Sequence, residues 1–240
     1  MIKFVEDEKE LYEYSKRDFF AVRTFGLLEA YGCGYPFLRF YLQRTGAAVT
    51  ALVSMLDDSV TVSVTDGFDA GELEEFLFAV GFKSVICPNE LCLAGETGES
   101  GAIMLLKKEE IEGTGVLTSV DFSPPLKTVF DMNREEIGTE NFEAWYCDFH
   151  HRIRRGAARA YLLEENACVL ASTVTADAAV ISAVKVVEPK RHMGYGTAIV
   201  KTAARDLNRD IFIMRETGKN ESFYKKIGFK NVDEWRLYRG

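Results

Sequence analysis

The amino-acid sequence predicts an α/β (α+β) protein in two units, a smaller α/β domain over residues 1–115 and a second domain over residues 116–240. Three observations carry this expectation. The chain has 240 residues, more than the roughly 100–150 of one ordinary domain. Short β-branched and aromatic runs alternate with apolar residues at helical spacing. The stretches richest in Gly, Ser, Thr and Pro are 95–101 and 113–125, and Pro124-Pro125 has no place inside a helix or a central strand, which puts the boundary near residue 115.

In the first unit, Phe37 to Gln43, Ala47 to Met55 and Ser59 to Thr65 read as strands, with a turn at Asp57-Asp58. Asp69 to Val80 reads as a helix, because Leu73, Phe76, Leu77 and Val80 share one face, Asp69 is a good cap and Gly81 a good stop. The second unit opens with helical stretches over Lys127 to Glu136 and Asn141 to Arg155, the latter stopped by Gly156. Three strands follow, Ala157 to Leu163, Ala167 to Thr175 and Ala178 to Val187; the third is apolar almost throughout, as a central strand is. Gly194 to Leu207 reads as a helix, Asp210 to Arg215 as a strand, Glu221 to Ile227 as a helix and Phe229 to Tyr238 as a closing strand. The order is β-β-β-α-β-α-β.

Composition narrows the function classes. Hydrophobic residues make up 47% and charged residues 28% of the chain, the usage of a folded soluble protein. No apolar run approaches the roughly 18 residues of a membrane span, and the first residues lack the basic-then-apolar order of a signal peptide, so no membrane partner and a cytoplasmic location are expected. The five cysteines are scattered with no CxxC pair, which predicts reduced, mostly buried thiols and no metal site. Residues 1–115 hold 10 Lys and Arg against 20 Asp and Glu, and residues 116–240 hold 19 against 17. With a net charge of -8, nonspecific nucleic-acid binding is not expected, since it requires clustered cations against phosphate.

The chemistry concentrates between Val186 and Ala198. Here the chain passes from a buried strand, through Glu188-Pro189-Lys190-Arg191-His192-Met193-Gly194-Tyr195-Gly196, into an amphipathic helix. Such a junction attracts anions: glycine lets the backbone approach a phosphate, and the helix start supplies unpaired N–H groups and the positive end of its dipole. A dinucleotide fingerprint fails, because Ile199 stands where the third Gly or Ala belongs, and a Walker loop fails, because Gly218-Lys219 is followed by Asn220. No histidine is followed by Arg-Asp, which excludes a kinase catalytic loop.

Arg191-x-x-Gly194-x-Gly196 resembles the first motif of the GNAT acetyltransferases, and Asn220-x-x-x-Tyr224-x-x-x-Gly228-Phe229 resembles their second, in the same order and with one helix and one strand between them. The resemblance covers roughly residues 125–240. It implies a GNAT fold with a mixed, mostly antiparallel central sheet flanked by helices, and a chain that moves an acetyl group from acetyl-CoA to a primary amine by direct attack. It further implies that His192, Met193, Gly194, Tyr195, Gly196 and Thr197, with Arg191, meet the pyrophosphate, Val186 and Val187 the pantetheine, and Asn220 the cofactor arm, while Tyr224 protonates the departing thiolate. Pro189 lies only two residues before Arg191, closer than in many members, which implies a shortened strand exit.

Without the motif, Tyr224 would read as a half-buried helix residue whose hydroxyl finds a backbone partner. The general base is open among Glu164, Glu165, Asp177 and Glu216; Glu216, at a strand end near the second motif, is the candidate carried forward, and His150-His151 reads as a solvated helix face. The acceptor is a small-molecule or peptide amine. The rival reading is a non-catalytic acyl-CoA-binding sensor or scaffold. Val80-Gly81-Phe82-Lys83-Ser84-Val85 echoes Ile227-Gly228-Phe229-Lys230-Asn231-Val232, which suggests a degenerate GNAT-like first half with Leu77 in the place of Tyr224. Its role would then be structural, substrate-shaping or dimer-forming, so a homodimer stays open.

Overall fold

The computed structural model describes residues 1–95, 97–111 and 119–240. In chain order its elements are β1 (Ile2–Phe4), α1 (Glu8–Leu11), α2 (Phe19–Tyr31), β2 (Leu38–Thr45), β3 (Ala48–Leu56), β4 (Ser59–Val64), α3 (Ala70–Val80), β5 (Ser84–Pro88), β6 (Thr97–Leu106), β7 (Val120–Asp121), α4 (Leu126–Met132), α5 (Arg134–Ile137), α6 (Phe142–Arg154), β8 (Arg159–Leu163), β9 (Ala167–Val174), β10 (Ala178–Val186), α7 (Tyr195–Leu207), β11 (Asp210–Glu216), α8 (Glu221–Ile227) and β12 (Lys230–Arg239). The boundary expected at residue 115 lies outside the described residues. The compact units are discontinuous in sequence: one comprises 1–103, 215–219 and 232–240, the other 104–214 and 220–231.

In the second unit the strand order is β11-β10-β9-β8-β7, antiparallel except for the parallel β10–β11 pair. This is a mixed, mostly antiparallel sheet with helices on both faces. Side chains alternate across it with the period of two that strands impose. Ala167, Val169 and Ala171 of β9 point into a core with Ile199, Val200 and Ala203 of α7 and with Ile227 and Phe229. Leu170 joins Ala160 and Ala183 on the opposite face, against Val129 of α4 and Phe149 of α6.

The first unit has the strand order β1-β2-β3-β4-β5-β12-β6, with β4 and β5 parallel and β12 antiparallel to β5 from Trp235↔Pro88 to Arg239↔Ser84. One sheet face packs on α3 through Val62, Leu73, Leu77 and Val85. The other packs on α1 and α2 through Leu11, Ala21, Leu28, Phe40 and Leu52.

Four expectations are corrected. The single helix over Lys127 to Glu136 is broken at Asn133, whose backbone leaves the helical region (φ -114°, ψ 19°). Its fully buried amide donates to the Val129 carbonyl at 2.8 Å and to Cys168 Sγ at 2.7 Å, the local competition that lets Asn interrupt helices. From Thr97 the glycine-rich stretch is strand, the start of β6, where Gly101 is needed for close backbone approach: a Cβ there would lie 1.9 Å from the Arg215 carbonyl oxygen. α2 was not expected at all, because Phe19 to Leu28 is buried nearly all round and shows no amphipathic stripe. The five cysteines are free thiols, but only Cys87 and Cys168 are buried.

Candidate functional site

β10 carries the central irregularity of the second unit. Its register with β9 shifts at Val180/Ile181 and again at Ile181/Ala183. A bulge of this kind bends and over-twists its strand. Pairing with β11 accordingly runs from Ala178↔Asp210 to Ile181↔Ile213 and stops, although β10 continues to Val186. The β11-facing edge of 182–186 is therefore left without a strand partner among the described residues, although the Val186 carbonyl accepts from Arg191 Nε.

Past β10 the chain makes a 3-10 turn over Glu188–Lys190, with Pro189 in its first positions. The strand thus ends at Val186, one residue before the expected Val187, whose N–H donates to the Asn166 carbonyl at 2.9 Å. His192 takes a left-handed φ of 63° and Gly194 one of 88°. Gly194 is the N-cap of α7, with no side-chain capping bond and no acidic residue in the first turn. The first helical bond runs from Ala198 N–H to the Gly194 carbonyl at 2.9 Å, so the N–H groups of Tyr195, Gly196 and Thr197 precede any helical acceptor. Two cations stand beside them. Arg191 Nε lies 3.4 Å from the Val186 carbonyl, and Lys190 Nζ sits 5.7 Å from the centre of the Tyr195 ring.

Gly196 is buried, and its α-carbon faces α8: an added Cβ would lie 3.2 Å from Phe223 Cζ and 3.4 Å from Val186 Cγ2. Phe223 meets the Tyr224 ring at 4.9 Å in a T-shaped contact, and Tyr224 meets Phe229 at 5.6 Å. Burial alone pushes the Tyr224 phenol up to about 12, so it is a proton donor and not a base at neutral pH. Its hydroxyl has no hydrogen-bond partner among the described residues. The two fully buried tyrosines differ: Tyr161 donates to Asp206 at 2.8 Å, and Tyr14 bonds Ser63 at 2.8 Å. Tyr224 is only part-buried, so its hydroxyl is left for solvent or a ligand.

The loop 191–197, the end of β10 and Tyr224 are therefore grouped within the second unit. Asn220 precedes α8 in a left-handed conformation (φ 55°) and is exposed, with no side-chain cap to the helix. Glu216, at the end of β11, is exposed, ion-paired with Lys219 at 2.5 Å and part of the segment counted with the first unit. Glu164 and Glu165 occupy the left-handed β8–β9 turn, and His150 stacks on Tyr146 at 5.1 Å. Sequence reasoning missed the bulge in β10 and the part of Phe223. Only strand register reveals the first and only packing the second.

No protein-family model and no curated protein matches the chain. Solved structures do. A Drosophila protein covers 100% of this chain with 98% of its own at a TM-score of 0.66 and 12% identity. An acetyltransferase of the GNAT family from Colwellia psychrerythraea covers 100% of both chains at a TM-score of 0.53 and 13% identity. The chain has the GNAT fold. A tandem GNAT protein from the clavulanic acid biosynthesis pathway also matches over 100% of this chain and 98% of its own, at a TM-score of 0.55 and 12% identity.

The tandem likeness suits the first unit. In that unit β2, β3 and β4 form an antiparallel meander, α3 follows, and β5 returns parallel to β4. In the GNAT-fold second unit β8, β9, β10, α7 and β11 do the same. This alters the internal echo. By topology α3 corresponds to α7 and not to α8, so buried Leu77 is not the counterpart of Tyr224.

Proposed function

We propose that the chain transfers an acetyl group from acetyl-CoA to a primary amine of a small molecule or peptide. One observation carries the reading: at the end of a strand whose edge is freed by a bulge, α7 begins with three unspent N–H groups, no capping side chain and no acid in its first turn. That donor set fits an anion such as a pyrophosphate. Met193 to Thr197 would hold it through backbone N–H groups, with Arg191 and Lys190 adding charge. The free edge of β10 up to Val186 offers backbone hydrogen bonds to an amide-bearing arm, with Val187 just beyond it, and Asn220 stands at the start of α8 as a further polar contact.

Bound acetyl-CoA supplies an acyl thioester, already activated toward an amine. The part of this chain's own residues is then to orient and to protonate. The amine nitrogen forms the new bond to the acyl carbon, the carbon–sulfur bond breaks, the Tyr224 hydroxyl gives its proton to the leaving sulfur, and the proton that the nitrogen sheds passes through solvent to restore the Tyr224 hydroxyl. No covalent bond to the protein is required. The test is a panel of amines incubated with acetyl-CoA, read as thiol release. Release that depends on one class of amine supports the reading; coenzyme A uptake with no release for any amine supports a sensor, and no uptake removes the site.

A further inference from the structure

We propose that Phe223 is the positioning residue that couples the pyrophosphate turn to the proton donor, an inference that rests on the reading of both given above. α8 has seven residues and no side-chain N-cap. So short a helix does not hold itself and takes its place from packing. Buried Ile227 and Phe229 fix its C-terminal end. Phe223 fixes the other end. Its ring tip lies against Gly196, in the first turn of α7, where an added Cβ would sit 3.2 Å from Phe223 Cζ and 3.4 Å from Val186 Cγ2 at the end of β10, too close unless the ring gives way. The same ring meets Tyr224 at 4.9 Å. One side chain thus meets both the turn that presents the amides and the ring that carries the proton. A shift of α7's first turn is passed to Tyr224 through Phe223, and the reverse.

A swap of sizes tests this. Gly196→Ala places a methyl against the Phe223 ring, and Phe223→Leu removes the ring tip that would meet it. Gly196→Ala is expected to weaken coenzyme A binding about tenfold, and Phe223→Leu to lower kcat about tenfold with coenzyme A affinity nearly unchanged, since small misplacement of reacting groups is costly. In the double variant, binding should recover to within about threefold of the unmodified protein, because contacting residues are not additive. Titration, kinetics and melting curves are read together, and Phe223→Met serves if the leucine variant does not fold. Independent, additive effects in folded proteins that bind coenzyme A, or wild-type kcat in Phe223→Leu, overturn this inference alone. An unmodified protein that takes up no coenzyme A overturns the site reading and this inference with it.

Discussion

The junctions β4–α3 and β10–α7 are the same topological device put to opposite use. Each leads from the third strand of an antiparallel meander into a helix that returns to a parallel strand. At α3 the chain fills the helix start with its own side chains. Asp69 accepts the Glu72 N–H at 3.0 Å. Buried Gln43 takes the Asp69 N–H at 2.9 Å and donates to Glu72 Oε2 at 2.9 Å. Two carboxylates therefore stand at the positive end of this helix, and they stabilise it as an added anion would. At α7 no side chain does so, and the neighbours are Lys190 and Arg191. A helix start becomes an anion site only where the chain itself leaves it unfilled.

Giving α7 an acid of its own should erase the difference. Thr197→Glu puts a carboxylate in the first turn, where it favours the helix dipole but opposes a phosphate. Like charges a few ångströms apart cost several kcal/mol, so coenzyme A affinity should fall by more than about 100-fold while the melting temperature holds or rises. Calorimetric titration beside a melting curve reads both. This substitution is cleaner than Gly196→Glu, whose side chain would be driven into Phe223.

Tyr224→Phe removes one oxygen and leaves the ring contacts with Phe223 and Phe229 in place. Turnover should drop by about 100-fold with coenzyme A affinity little changed, because only the proton donor is lost. The sign of the pH effect follows from the raised pKa of about 12. The folded state holds this proton more tightly than the unfolded chain, so its contribution to stability is whole below pH ~10 and is lost as pH rises toward 12. Alkaline denaturation curves should show less of this loss in Tyr224→Phe.

The smallest effect belongs to the other junction. Asp69→Ala removes the cap of α3 and should cost about 1 kcal/mol in denaturant unfolding. Coenzyme A affinity should not change.

Much of the second unit was legible because its signals are local. The sequence bounds Glu221–Ile227 to the residue, since Gly228 stops that helix, and places the helix from Asn141 to Arg155 within one residue at each end, Asn141 standing just outside it with its side chain accepting from Ala144 N–H at 3.0 Å. What escaped depends on distant partners. Gly101 reads as a loop residue until the Arg215 carbonyl is seen against it. The end of β10–β11 pairing at Ile181 follows from a register shift that no run of residues announces. The echo around Gly81-Phe82 was real as a helix stop but misleading as homology, because a glycine after any helix serves that purpose.

The comparison is tested most directly by following backbone N–H signals by nuclear magnetic resonance while coenzyme A is titrated into the unmodified protein. Saturable shifts are expected at Tyr195, Gly196 and Thr197 and none at Ala70, Gly71 and Glu72, where the carboxylates of Asp69 and Glu72 already stand at the helix start. Unmoved signals at Tyr195 to Thr197 in the presence of binding, or equal shifts at the two helix starts, would contradict it.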